Sequence, residues 1–140
     1  MRQNWNEYFM DIATIVAGRS TCPRKSVGCI IVKNRTIIST GYNGSLPKEP
    51  HCSDAGCYIK DHHCIRTVHA ETNAINHAAK NGVSLNGAII YCNVEPCWYC
   101  YKNIVSSGMI KIYYKEPYGN KPEIYKQSIE SKIIKRIQME

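Results

Sequence analysis

His69-Ala70-Glu71, read together with Pro96-Cys97-Trp98-Tyr99-Cys100, constrains this chain more than any other stretch. One imidazole and two thiols are three soft ligands. Zinc at a catalytic site takes three protein ligands and keeps its fourth position open. Cysteines three apart on a helix share one face and can share one ion. Pro96 suits the first turn of that helix, where a missing N–H costs nothing. A helix N-terminus also favours thiolate over thiol. Glu71, two residues past His69, is placed to exchange protons with a reacting water without ligating the metal. The bland alternative is a structural zinc site, the commoner use of a Cys-x-x-Cys with a distant His. That site needs a fourth ligand, and a carboxylate beside the His is where a general base is useful, so the pattern favours catalysis.

The length, 140 residues, is that of one domain with one core, and we expect residues 1–140 to form it. No apolar run approaches membrane-spanning length. The first residues begin a helix pattern rather than a signal peptide, so the eight cysteines read as thiols and metal ligands of a cytoplasmic protein rather than disulfides. The net charge of +7 points to an anionic partner, a nucleotide phosphate or a nucleic acid. Much of it lies singly after residue 110, where a solvated basic face is the competing reading.

Trp5, Tyr8, Phe9, Ile12, Ile15 and Val16 recur at helical spacing, which predicts a helix over Trp5–Ala17 with that stripe in the core. Asn4 and Glu7 form a capping pair, and Gly18 stops the helix. A polar, basic loop follows, then strands over residues 27–33 and 36–40 as a hairpin. Gly41-Tyr42-Asn43-Gly44-Ser45 breaks the pattern and reads as a flexible turn, with glycines that let the backbone approach a ligand and an amide to offer it. Residues 46–66 lack apolar periodicity and are too long for an idle connection. Their density of His and Cys predicts a second metal tying the loop down. Cys22, Cys52, Cys57, His63 and Cys64 compete for about four places; a mobile loop with incidental thiols is the alternative. Helices are expected over residues 68–81, 96–107 and 123–131, and strands over residues 88–93, 109–114 and 133–137. Ala70, Ala74, Ile75 and Ala78 give the first of those helices a narrow apolar face. Strands joined through helices run parallel, with the helices on a common face. The fold class is therefore α/β, three layers around a mixed five-stranded sheet.

The H-x-E…P-C-x-x-C pattern is shared with the zinc deaminases, in which the Glu is general acid and base. Further residues narrow the resemblance. Arg19 to Arg24, Gly41-Tyr42-Asn43-Gly44, His51-Cys52, Gly56-Cys57, His63-Cys64, Arg66 to Glu71 and Asn73-Ala74-Ile75 together resemble the bacterial and phage deoxycytidylate (dCMP) deaminases. The likeness covers about residues 19–118. It implies a cytidine-deaminase-like α/β/α fold and hydrolysis of dCMP to dUMP and ammonia, feeding thymidylate synthesis. It implies zinc, dCTP as activator, dTTP as inhibitor, and a homohexamer. By resemblance, His69, Cys97 and Cys100 are the catalytic zinc ligands and Glu71 the proton carrier. Asn43 and Tyr118 match residues at the substrate, and Cys22 and Cys52 match ligands of a second, structural zinc in phage members. Tyr42, Gly44 and Lys80 are the candidates for effector binding, although a lysine near a helix C-terminus is favourable without one. Arg24 is the first candidate for the substrate phosphate, with Lys25, Lys115 and Lys121 as others. Trp98-Tyr99 is bulkier than the family pattern and bears on the pocket rim. The rival readings are a tRNA adenosine deaminase, a free cytidine deaminase and a non-catalytic zinc module for nucleic acid.

Overall fold

The computed structural model describes residues 1–140. In chain order the elements are α1 (Trp5–Ala17), β1 (Gly28–Lys33), β2 (Thr36–Tyr42), β3 (Gly44–Ser45), α2 (Cys52–Ala55), β4 (Ile59–Lys60), β5 (His63–Cys64) and β6 (Thr67–Val68). They continue with α3 (Ala70–Lys80), β7 (Ile89–Val94), α4 (Trp98–Ser106), β8 (Lys111–Glu116), α5 (Glu123–Glu130) and β9 (Lys135–Gln138). The five-stranded sheet has the order β2-β1-β7-β8-β9. β1 pairs antiparallel with β2 and with β7, whereas β7–β8 and β8–β9 are parallel. This is the mixed sheet expected, because α4 and α5 supply the crossovers that parallel strands need.

Alternation along the strands sorts the core into two layers. Ile30, Val32, Tyr91 and Tyr113 face α1, against Phe9, Met10 and Ala13. Cys29, Ile31, Ile90, Cys92 and Ile112 face the opposite way, against Ala70, Ala74 and Ala78 of α3, Tyr101 and Ile104 of α4, and Tyr125 of α5. One helix thus covers one face and three cover the other, which is the three-layer arrangement.

α1 has its expected bounds. The Asn4 side chain accepts the Glu7 N–H at 2.9 Å, and Glu7 accepts from the Asn4 amide at 2.9 Å. Its buried face is the expected stripe only in part: Phe9 is in the core and Ile12 and Val16 pack against it. Phe9, Met10, Ala13 and Ala17 are buried, while Trp5, Tyr8 and Ile15 are exposed at 47%, 44% and 74%. The reason is close packing. A Cβ on Gly28 would stand 2.3 Å from the Ala17 nitrogen and 2.4 Å from the Ala13 carbonyl oxygen. A helix that near a strand presents its alanines at the point of contact, with Phe9 and Met10 filling the space beside them and Trp5, Tyr8 and Ile15 turned outward.

Gly41 and Gly44 do not form a flexible turn. Gly41 and Tyr42 complete β2, and Gly44 and Ser45 pair antiparallel with Val68 and Thr67. The loop before His69 holds one helical turn and the short β4–β5 hairpin. That hairpin turns at Asp61 and His62, whose φ values of 52° and 67° are those of a two-residue turn matched to strand twist.

Candidate active site

The two ligand helices begin at Ala70 and Trp98, two residues later than the sequence pattern places them. His69 and Cys97 are the N-cap residues of α3 and α4, with extended backbones at φ −64°, ψ 149° and φ −70°, ψ 172°. Pro96 therefore precedes the cap rather than lying in the first turn. Its carbonyl oxygen accepts the Tyr125 hydroxyl at 2.7 Å. Strand ends set these positions. β6 pairs with β3, which puts His69 beside Asn43, and β7 delivers Cys97 across Glu95-Pro96. α3 is stitched onto β2 by polar contacts. Ser39 donates to the Ala74 carbonyl at 2.6 Å, the Asn73 amide to the Tyr42 carbonyl at 2.8 Å, and His77 Nδ1 lies 2.7 Å from the Thr40 carbonyl oxygen.

His69 Nδ1 lies 3.3 Å from Cys100 Sγ and 3.5 Å from Cys97 Sγ. The three ligand atoms fall within 4.8 Å of one another. Zinc–sulfur bonds of about 2.3 Å and zinc–nitrogen bonds of about 2.0–2.1 Å put tetrahedral ligand atoms roughly 3.5–3.8 Å apart, so this donor set fits zinc. The Thr72 hydroxyl, 3.8 Å from Cys100 Sγ, supports that ligand. The Cys100 thiol hydrogen bond, aided by His69, brings the Cys97 thiol down to about 4 against the opposing pull of burial. The same contact with Cys97, with burial, holds Cys100 up. The Cys97 hydrogen bond raises His69. Glu71 is 4% exposed, and burial raises its carboxyl, partly countered by its own backbone and by His69.

These groups open onto a cavity of about 320 Å³ that Glu71, His69, Cys97, Asn43, Arg24, Lys25, His62, His63 and Tyr118 help to line. Arg24 and Lys25 sit on a loop held by two asparagines. The Asn43 amide accepts the Val27 N–H at 2.9 Å and donates to the Lys25 carbonyl at 2.8 Å. Asn93 accepts the Gly28 N–H at 2.9 Å and donates to the Ser26 carbonyl at 3.0 Å. Tyr118 closes another wall, its hydroxyl raised by burial and by the nearby Cys97 and Cys100. Lys121 lies outside the lining, its ammonium 2.8 Å from Glu95 and 2.9 Å from the Tyr118 carbonyl oxygen. Lys115 is not in the lining either. Trp98 packs inward, 5.8 Å from the Tyr101 ring and 5.7 Å from that of Tyr125, and Tyr99 is 70% exposed. Neither forms the pocket rim.

Of the five loop-metal candidates, three come together. Cys52, Cys57 and Cys64 have their sulfurs within 4.8 Å of one another, and Cys52 and Cys64 are 3.6 Å apart. This thiol triad also suits zinc. Against burial, the N–H groups of Arg66, Thr67 and Tyr58 bring Cys64 down to about 6, while burial and the neighbouring thiols push Cys52 up to about 12. Burial raises the Cys57 thiol, with smaller contributions from Cys64 and from Cys22, which lies outside the triad. Cys22 and His63 face the active-site cavity instead. Tyr42 and Gly44 line a separate cavity of about 640 Å³, together with Asn73 and His77. Lys80, in the last turn of α3, lines neither cavity.

Two residues of the site went unread in the sequence. Asn93, inside a strand, fixes the Arg24 loop. Glu95 is 2% exposed and takes both a lysine and an arginine. Glu95 does carry a signal: a carboxylate ending the apolar strand Ile89–Val94 calls for a cation.

A three-ligand zinc site with a buried glutamate at a cavity, on this sheet and helix arrangement, is that of a zinc-dependent deaminase. Residues 3–116 match the family described as "Cytidine and deoxycytidylate deaminase zinc-binding region". The chain belongs to that family, and within it is dCMP deaminase-like. ComE operon protein 2 of Bacillus subtilis is 46% identical over 130 residues, covering 91% of this chain and 69% of that protein. The deoxycytidylate deaminase of Saccharomyces cerevisiae is 36% identical over 90% of this chain, which spans 42% of that enzyme. The crystal structure of cyanophage S-TIM5 dCMP deaminase in complex with dCMP and dUMP superposes with a TM-score of 0.84 at 30% identity, covering 99% of each chain. No helix is long and apolar enough to cross a membrane.

Proposed function

We propose that this chain hydrolyses dCMP to dUMP and ammonia, as a single cytoplasmic domain feeding thymidylate synthesis. The observation that carries the nucleotide reading is that Arg24 and Lys25 line the same cavity as Glu71 and His69. A monophosphate entering beside the basic loop would put its base toward the metal. Arg24 has no carboxylate partner, and Lys25 has only a loose, exposed contact with Glu116 at 3.6 Å. Lys121 is committed to Glu95 and leaves the phosphate to them.

His69, Cys97 and Cys100 would hold the zinc. When bound, it acts as a Lewis acid that makes water nucleophilic at neutral pH. Glu71 takes the proton of the water attacking C4 and delivers it to N3 of the cytosine ring. The same carboxyl then helps to protonate the departing amine. Its burial suits a group that must both accept and donate. Asn43 and Tyr118 would meet the nucleoside, Asn43 with the part of its amide that the loop leaves free.

Cys52, Cys57 and Cys64 would hold a second, structural zinc, with Cys22 the nearest further thiol. For control by dCTP and dTTP, the support is positional. Tyr42 and Gly44 line one cavity, Asn43 between them lines the active site, and Asn73 and His77 link that second cavity to the helix bearing Glu71. The hexamer rests on the family resemblance.

The test is ammonia release from dCMP, cytidine and a tRNA anticodon stem. Turnover of dCMP well above both others is the expected result. Equal efficiency on cytidine would remove the phosphate argument, and preference for the tRNA would move the chain to the adenosine deaminases.

A further inference from the structure

We propose that Glu95 is a positioning residue, which clamps the Tyr118 wall of the cavity through Lys121 and is itself anchored by Arg136. The Tyr118 backbone is gripped from both sides. Its N–H donates to Glu95 Oε1 at 2.8 Å, and its carbonyl accepts from Lys121 Nζ at 2.9 Å. Lys121 Nζ in turn lies 2.8 Å from the same Glu95 oxygen. The other Glu95 oxygen accepts from Arg136 Nη2. Arg136 also donates to the Tyr125 hydroxyl at 3.2 Å, and that hydroxyl donates to the carbonyl of Pro96, next to the ligand Cys97. The guanidinium lies 5.4–5.5 Å from the ring centroids of Tyr101, Tyr114 and Tyr125.

Burying a carboxylate between two cations is poor value as stability alone, since apolar residues of similar volume do as well. Its distinctive product here is geometry, because both oxygens and both cations have directed partners. The family match ends at residue 116. Lys121, Tyr125 and Arg136 all lie beyond it, so the clamp ties the zinc motif to the segment that follows. Glu95 lines the cavity, yet its oxygens are spoken for, which sets it apart from Glu71.

The inference rests on Tyr118 forming part of the substrate wall. Glu95→Gln and Lys121→Met should keep the metal and raise the KM for dCMP about tenfold while kcat changes by less than about threefold. Lys121→Arg should restore KM, and Glu95→Gln should add nothing in a Tyr118→Phe background. Amide hydrogen exchange at Tyr118 should accelerate in Lys121→Met whatever the substrate proves to be. If Glu95→Gln fails to fold, Lys121→Met decides. Unchanged KM and unchanged exchange in Lys121→Met would overturn the clamp, as would a loss of metal that accounts for the whole effect. Faster exchange in a protein that does not deaminate dCMP would uphold the clamp and reject the substrate.

Discussion

Gly41 and Ala70 lie in such close contact that a Cβ on the glycine would stand 2.2 Å from the Ala70 carbonyl oxygen. The same atom would be 2.5 Å from the Ala74 nitrogen. The backbone of β2 therefore sets the height of α3, and with it the height of Glu71 above the sheet. Gly41→Ala should cost about 3 kcal/mol, the upper part of the overpacking range, and lower Tm by roughly 6–12 °C. Thermal unfolding checks the stability, and kcat should fall with it as Glu71 is displaced.

Glu71→Gln should lose at least about a hundredfold in kcat, the low end for one general acid–base group, and keep its zinc. Cys97→Ala or Cys100→Ala should lose the metal itself, each removing one of three ligands. Activity assays paired with metal analysis separate these two outcomes. Full activity in Glu71→Gln would remove the residue from the mechanism.

Fully loaded protein should contain about two zinc ions per chain, one at each three-ligand cluster. Cys52→Ala should release one of them and loosen the segment around the β4–β5 hairpin, leaving the other in place. A single zinc in fully loaded wild-type protein would rule out the loop site.

Arg24→Ala should raise the KM for dCMP about tenfold and leave the efficiency on cytidine, already low, nearly unchanged. The comparison of the two substrates is the measurement. An equal loss on both would mean that Arg24 holds the loop rather than the phosphate.

Saturation with dCMP should be sigmoidal, become hyperbolic with dCTP and return to sigmoidal with dTTP. A coupling of roughly 1–3 kcal/mol corresponds to a several-fold to hundredfold change in apparent affinity. Hyperbolic curves indifferent to both nucleotides would leave this chain with the chemistry and without the control.

Local sequence carries what local chemistry decides. The ends of α1 were legible because Asn4, Glu7 and Gly18 act within a few residues of themselves. His69, Glu71, Cys97 and Cys100 were legible because metal ligation demands residue types that few other roles share. The buried face of α1 was legible at Phe9, Ile12 and Val16 and not at Ala13 and Ala17, because periodicity weighs large side chains and the approach of Gly28 rewards small ones. The Gly41–Gly44 stretch read as a turn because glycine is the usual turn residue. Here the missing side chain at Gly41 serves packing, and the pairing of Gly44 with Val68 is visible only once both strands are placed. Glu95 shows the same limit at greater distance, since its partners stand at positions 121 and 136.

His69 and Cys97 occupy helix starts without capping them, since neither side chain bonds a free N–H of its helix. Ser, Thr, Asn or Asp at such a position typically contributes about 1 kcal/mol. Both helices forgo that contribution so that their first side chains can turn toward each other. A shared ion would offset that loss at both ends at once, fastening two uncapped helix starts as a single staple. Withdrawing it should loosen the first turns of α3 and α4 together, and Glu71 sits in one of them. Loading would then tighten the few residues that do the chemistry, and the protein without its metal would hold its base less firmly as well as lacking a Lewis acid.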